Sequence, residues 1–167
     1  MKNIELKIFI NNFKKVEKLL KKNKGRFKML LRQTDTYYHY HFGRLKIREI
    51  NGKNFEAIFY QRPNIKKSKI SNYYIVKVEK TNLKILKNIF TKFFGQQIVI
   101  KKERRLWILK NTRIHLDKVI GFGNFLELET VVKKNSLKEA QKEHQWVIKI
   151  LQLSKYKKYH GSYSYMQ

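Results

Sequence analysis

Glu127 and Glu129 alternate with leucines in GNFLELETVV, residues 123–132. The chain holds 12 acidic residues against 39 basic ones, so two of its scarce carboxylates share one strand face. Carboxylates two residues apart on a strand sit roughly 6.6 Å apart. At an effective dielectric of about 20 their repulsion is about 2.5 kcal/mol. Something cationic should offset it, either neighbouring arginines or a divalent metal ion.

The same spacing recurs elsewhere. Around IELKIFI, Ile4, Leu6, Ile8 and Ile10 point one way and leave Asn3, Glu5 and Lys7 on the other face. In GRLKIRE, Leu45 and Ile47 oppose Arg44, Lys46 and Arg48; in TRIHLD, Ile114 and Leu116 oppose Arg113, His115 and Asp117. An ordinary sheet also has one wet face, but a solvated face more often mixes lysine with serine, threonine and glutamine. If these strands close into a barrel with the charged face inward, basic and acidic strands look at each other across a wet interior. Arg44, Lys46, Arg48 and Arg113, with Arg62, Lys102 and Arg104, could then hold a polyanion, guanidinium groups pairing bidentately with phosphate oxygens and lysines acting as point charges. Glu5, Glu127 and Glu129, with Asp117 as a further candidate, offer hard oxygen ligands suited to Mg²⁺ or Mn²⁺. His39 and His41 stand at spacing two with no third transition-metal ligand nearby, and they read as an ordinary strand face. His115 reads as a hydrogen-bonding partner inside the barrel, and Trp107, Tyr37 and Tyr40 as packing.

Positioning such a face needs strands. Period-two alternation predicts them at 3–10, 37–50, 55–62, 73–79, 97–109, 112–118 and 125–132, the longer ones open to division by bends. Helical spacing marks NNFKKVEKLLKKN, where Phe13, Val16, Leu19 and Leu20 share a face, and NLKILKNIFTKFFG, with Asn82 as its cap and Gly95 as its end. A third helix is expected from Ser136, because Ser136 and Glu139 form a capping box ahead of Val147, Ile148 and Leu151. The expected architecture is α+β: a mainly antiparallel β domain with a few packed helices, occupying residues 1–167 as a single domain.

Composition bounds the rest. Without cysteine there are no disulfides, thiolate metal sites or cysteine nucleophiles. No apolar run is long enough to span a membrane, so a soluble, cytoplasmic protein with no membrane partner is expected, as monomer or homodimer. A net charge of +27 attracts polyanions. The abundance of Lys, Asn, Ile, Phe and Tyr would equally follow from AT-rich coding, so bulk charge does not choose a function. Nucleic acid is a further candidate partner through KKVEKLLKKNK, a stretch that a charged outer helix face explains equally well.

QTDTYYHYHFGRLKIRE at 33–49, FYQRPN at 59–64, KKERRLW at 101–107 and NTRIHLDKVIGFGNFLELE at 111–129 resemble, in order and spacing, the CYTH superfamily, most closely its CyaB-like branch. That superfamily unites class IV adenylyl cyclases and thiamine triphosphatases, the triphosphate tunnel metalloenzymes. The resemblance implies an eight-stranded antiparallel tunnel with flanking helices that binds a triphosphate with one or two divalent metals. In the family's pattern E-x-E-x-K corresponds to Asn3, Glu5 and Lys7, the first acid being absent here. The G-R-L-K-x-R residues fall on Arg44, Lys46 and Arg48, the K-x-R pair on Lys102 and Arg104, the R-x-H-L-D arginine and aspartate on Arg113 and Asp117, and the metal-binding E-x-E on Glu127 and Glu129. The implied activity is Mg²⁺- or Mn²⁺-dependent cleavage of tripolyphosphate, thiamine triphosphate or ATP, with Lys7 and Arg113 as charge stabilisers and Asp117 as a ligand or water-positioning group. Cyclisation of ATP to cAMP and pyrophosphate, and noncatalytic binding of a triphosphate, polyphosphate or nucleotide, are the alternatives.

Overall fold

The computed structural model describes residues 2–61, 69–132, 137–159, 161 and 163, with the backbone alone for 69–73. Its elements run β1 (Lys2–Phe9), α1 (Lys14–Lys22), β2 (Arg26–Tyr38), β3 (Arg44–Ile50), β4 (Asn54–Gln61), β5 (Lys69–Val78), α2 (Lys80–Phe94), β6 (Gln96–Leu109), β7 (Thr112–Val119), β8 (Gly123–Val131) and α3 (Leu137–Ile150), then a short 3₁₀ turn at Leu153–Lys155. The strands form a closed antiparallel barrel in the order β1-β5-β4-β3-β2-β6-β7-β8. The expected eight-stranded α+β barrel is therefore the fold.

The barrel is packed on its outside. Leu6 and Ile8 of β1, Ile114 and Leu116 of β7, and Leu126 and Leu128 of β8 turn outward and bury against Val16 and Leu20 of α1, Val147 of α3, and Leu151 and Leu153 beyond it. Apolar area removed from water here stabilises the fold at roughly 25 cal/mol per Å². It also consumes the outward positions, which leaves the inward ones for chemistry.

Inward positions change character at one level across five strands. Asn3, Glu5 and Lys7 lead to Phe9; Gln33 and Asp35 lead to Tyr37; Arg104 and Lys102 lead to Ile100; Arg113, His115 and Asp117 lead to Val119; Glu129 and Glu127 lead to Phe125. Tyr37, Ile100, Val119, Phe125 and Tyr163 form a second apolar cluster, with Phe9 and Tyr159 packed on it. This plug closes one end of the barrel and leaves the charged portion as a pocket.

Several sequence expectations are corrected. The candidate strand at 37–50 is two strands, since only Tyr37 and Tyr38 belong to β2 and residues 39–43 connect it to β3. His39 and His41 therefore lie in a connection rather than on a strand face. Most of β2 escaped the period-two reading for a local reason. Its pairing with β6 shifts register between Phe27 and Met29, Met29, Leu30 and Leu31 run consecutively, and Arg26–Leu30 is exposed. Helix α2 starts at Lys80 behind Glu79, whose side chain accepts no capping hydrogen bond, so Asn82 lies inside the first turn. Gly95 ends α2 as expected, with φ of 71°. α3 starts at Leu137, while Ser136, its expected cap, lies outside the described residues, as does Arg62.

Candidate active site

Each strand of the barrel delivers its inward residues to a cavity of about 310 Å³. Lys7, Lys46, Arg48, Lys102, Arg104 and Arg113 line it together with Glu5, Glu56, Glu127, Glu129, His115 and Tyr163. Leu31, Ile50, Ile58, Ile75 and Leu106 supply its apolar surface.

One wall is basic and gathered around an acid that the sequence analysis did not single out. Asp35, fully buried on β2, accepts two hydrogen bonds from Arg48, Nε at 2.6 Å and Nη2 at 2.8 Å, and one each from Lys46 and Lys102 at 3.1 Å. Burial alone would raise its pKa, but Arg48, Lys102 and Lys46 together hold it well below the usual carboxylate range. For Lys46 the balance runs the other way. Burial and the adjacent Arg48 charge push it down to about 7, and Asp35 offsets them only in part. Lys102 is also lowered, chiefly by burial.

The facing wall is acidic. Arg104 binds Asp117 bidentately, at 2.7 and 2.6 Å, and reaches Glu127 Oε2 at 3.0 Å. Despite burial, the charges of Arg104 and Lys102 bring Asp117 down to about 2. Tyr163 donates its hydroxyl to Asp117 Oδ2 at 2.9 Å and offers its ring face to Lys7, whose Nζ lies 3.6 Å from the centroid. Lys7 Nζ stands 3.4 Å from Glu127 Oε1, and Arg113 Nη2 3.0 Å from Glu129 Oε2. Strand register produces these pairs, because Lys7 and His115 both lie opposite Glu127 while Glu5 and Arg113 both lie opposite Glu129.

Among the described residues, His115, Glu127 and Glu129 bring ligand atoms within 4.8 Å of one another. His115 Nδ1 is buried without a hydrogen bond, 3.6 Å from Glu129 and 3.8 Å from Glu127. Burial and the Arg104 charge lower the imidazole pKa, which favours the neutral ring, the form whose nitrogen lone pair can ligate a cation. Two carboxylates and one imidazole make a donor set that a divalent cation fits, and the nitrogen suits Mn²⁺ at least as well as Mg²⁺.

Most of the sequence-predicted site residues meet here. Lys7, Lys46, Arg48, Lys102, Arg104, Arg113, Glu5, Glu127 and Glu129 share the cavity. Glu5 lines it but is not in the converging trio, where His115 stands instead. Asp117 is sequestered behind Arg104 and Tyr163. Arg44 is set apart in a smaller cavity of about 170 Å³, with Tyr37, Tyr38, His39, Tyr40, His41, Gly43 and Gln97. Asp35 was legible in principle, since it alternates with Gln33 and Tyr37, but the strand that carries it was not recognised. Tyr163 comes from beyond the last helix and had no periodic signal.

The family model for the CYTH domain matches residues 1–163. The chain belongs to the CYTH-domain family. No curated protein matches the chain in sequence. Among solved structures, the PH1012 protein of Pyrococcus horikoshii OT3 is similar at 21% identity, with 97% of each chain covered and a TM-score of 0.80. A candidate adenylate cyclase from Vibrio parahaemolyticus aligns at 17% identity over 96% of this chain and 94% of that one, TM-score 0.72. A Hippeastrum adenylyl cyclase candidate with a dominant triphosphatase activity aligns at 11% identity over 96% and 92%, TM-score 0.68. At these identities the likeness is one of fold. Among the described residues, no helix of this CYTH domain is long and apolar enough to cross a membrane.

Proposed function

We propose that this CYTH protein is a divalent-metal-dependent triphosphatase that hydrolyses an inorganic or organic triphosphate inside the barrel. The observation that carries this reading is one cavity whose basic wall, Lys46, Arg48 and Lys102, faces an acidic wall with a converging His115, Glu127 and Glu129. Its charge balance supports a metal–triphosphate complex over a bare anion. The six cations of the lining are matched by Glu5, Glu56, Glu127 and Glu129 together with the buried Asp35 and Asp117. A triphosphate of roughly four negative charges would be poorly compensated without cations of its own.

His115, Glu127 and Glu129 would hold the ion, with Glu5 alongside. Bound there, it would neutralise phosphoryl oxygens and polarise the reacting phosphorus. Arg48 and Arg104 would grip phosphate oxygens through paired N–H groups, Lys46 and Lys102 would add point charges, and Lys7 and Arg113 would stabilise charge developing beside the acidic wall. Asp117 would act by fixing the Arg104 guanidinium plane. No side-chain nucleophile is required, because water can attack in line.

The test is to incubate the protein with tripolyphosphate, thiamine triphosphate and ATP, each with Mg²⁺ or Mn²⁺, while following phosphate, pyrophosphate and cAMP. Metal-dependent phosphate release, abolished by Glu127→Gln with Glu129→Gln, is the expected result. cAMP with pyrophosphate would make the protein a cyclase. Tight triphosphate binding without turnover would make it a binder.

A further inference from the structure

The inward rows of β2, β3 and β6 change character a second time, on the side away from the apolar plug. Two residues beyond Arg48 stands Ile50, two beyond Arg104 stands Leu106, and two before Gln33 stands Leu31. β3, β2 and β6 are neighbours in the barrel, so these three half-buried aliphatic side chains form a collar along the cavity that the cations line. Ile58 and Ile75 line the same cavity from β4 and β5. The collar is fixed where β2 meets β3. Arg32 N donates to Asn51 Oδ1 and Asn51 N to Arg32 O, both at 2.8 Å, which clamps the residues next to Leu31 and Ile50.

Gln33 marks the boundary between the charged part of the cavity and the collar. It is 5% exposed, lines the cavity, and lies directly opposite Lys102 on one side and Ile50 on the other. Among the described residues, its Oε1 is buried and accepts no hydrogen bond. A buried acceptor without a donor costs free energy that a ligand returns by supplying one. The ionised oxygens of a tripolyphosphate cannot do so, because they are acceptors themselves. Setting them against Leu31 and Ile50 would add a desolvation cost. A hydroxyl or N–H group on an organic ester can supply the missing donor.

We infer that the triphosphate taken by this site is an organic ester, whose organic group lays an apolar face against Leu31, Ile50 and Leu106 and donates a hydrogen bond to Gln33. This rests on the triphosphatase reading of the same cavity and narrows it from triphosphates in general to esters that carry such a group. The two parts of the cavity then have separate roles. The cations and the converging His115, Glu127 and Glu129 serve the phosphate chain, which every triphosphate shares. The collar and the Gln33 amide select what is attached to that chain. Leu31, Gln33, Ile50 and Leu106 determine specificity and take no part in the phosphorus chemistry.

Titration calorimetry with Mg²⁺ and imido-bridged analogues of tripolyphosphate, ATP and thiamine triphosphate reads affinity without cleavage at the bridged positions. At least one of the two esters should bind about tenfold or more tighter than the inorganic chain, and which one does so identifies the organic group. Gln33→Leu removes the acceptor and should weaken that ester about tenfold, with a change of less than about twofold for the inorganic analogue. Leu31→Ser should have the same selective effect through the collar. Unchanged circular dichroism spectra and the retained affinity for the inorganic chain show that both variants fold. The inference is overturned if the inorganic analogue binds the unmodified protein as tightly as both esters. It is equally overturned if the two variants weaken inorganic chain and ester alike, which would make Gln33 and Leu31 parts of the phosphate site or of the fold. Hydrolysis is judged separately: a protein that releases no phosphate from any of the three triphosphates refutes the triphosphatase reading, while the affinity ratios still decide whether the site selects an organic ester.

Discussion

Asp35 is the counter-charge of the basic wall, so Asp35→Asn separates what the cations do for the fold from what they do for a ligand. The three cations lie 2.6 to 3.1 Å from its carboxylate oxygens. At about 3 Å and an effective dielectric of about 20, each attraction is about 5 kcal/mol. Much of that offsets the desolvation of the ions, and removing one partner from a buried ionic group costs about 3–5 kcal/mol. For a chain of this length that is a fall in melting temperature of about 10–15 °C. The asparagine keeps the shape and one acceptor, but it leaves Lys46, Arg48 and Lys102 without their anion. Tripolyphosphate should fill that role. It should raise the melting temperature of Asp35→Asn more than that of the unmodified protein, and should bind the variant more tightly in titration calorimetry. Differential scanning calorimetry with and without tripolyphosphate reads both effects. A variant that melts within about 3 °C of the parent, or one that gains no more from tripolyphosphate than the parent does, would refute the idea that Asp35 holds the place of the ligand.

Lys46 makes ligand binding depend on pH. With its pKa near 7 in the folded protein and 10.5 ordinarily, the free site loses this charge as pH rises through about 7. Because the unfolded chain keeps that proton longer, the group adds stability to the fold as pH rises between those values, while tripolyphosphate affinity falls by up to about tenfold per unit. Calorimetry should show proton uptake on binding above pH 7, and Lys46→Met should flatten the slope; equal slopes would count against Lys46. His115→Ala should weaken Mn²⁺ binding about tenfold and Mg²⁺ binding much less, since only the nitrogen donor is lost; equal losses in metal titrations would move His115 out of the ligand set. Tyr163→Phe keeps the ring under Lys7 but removes the bond to Asp117, and should lower unfolding free energy by about 1–2 kcal/mol. Tyr163→Leu should lose more in denaturant melts, and the reverse order would contradict the ring's contact with Lys7.

The acidic wall was legible in the sequence because Glu127 and Glu129 repeat at spacing two among leucines, a pattern that already separates an inward from an outward face. The same holds for Lys46 and Arg48 and for Arg113 and His115, whose alternation with apolar residues survives in regular strands, whereas Lys102 and Arg104 alternate with the charged Lys101, Glu103 and Arg105. Periodicity failed at Asp35 because Gln33, Thr34 and Thr36 around it are all polar and mark no apolar face, while the register shift between Phe27 and Met29 breaks the pattern upstream. Spacing along the chain also carries no information on which acid meets which base. That Arg104 takes Asp117 and Glu127, that Asp35 collects three cations, and that His115 rather than Glu5 converges with the two glutamates follow from strand order and register, which are set by packing between distant segments. Tyr163 reaches the pocket only because the C-terminal segment bonds to the edge of β1. Local alternation thus determined which side chains face inward, and barrel closure decided what each of them meets there.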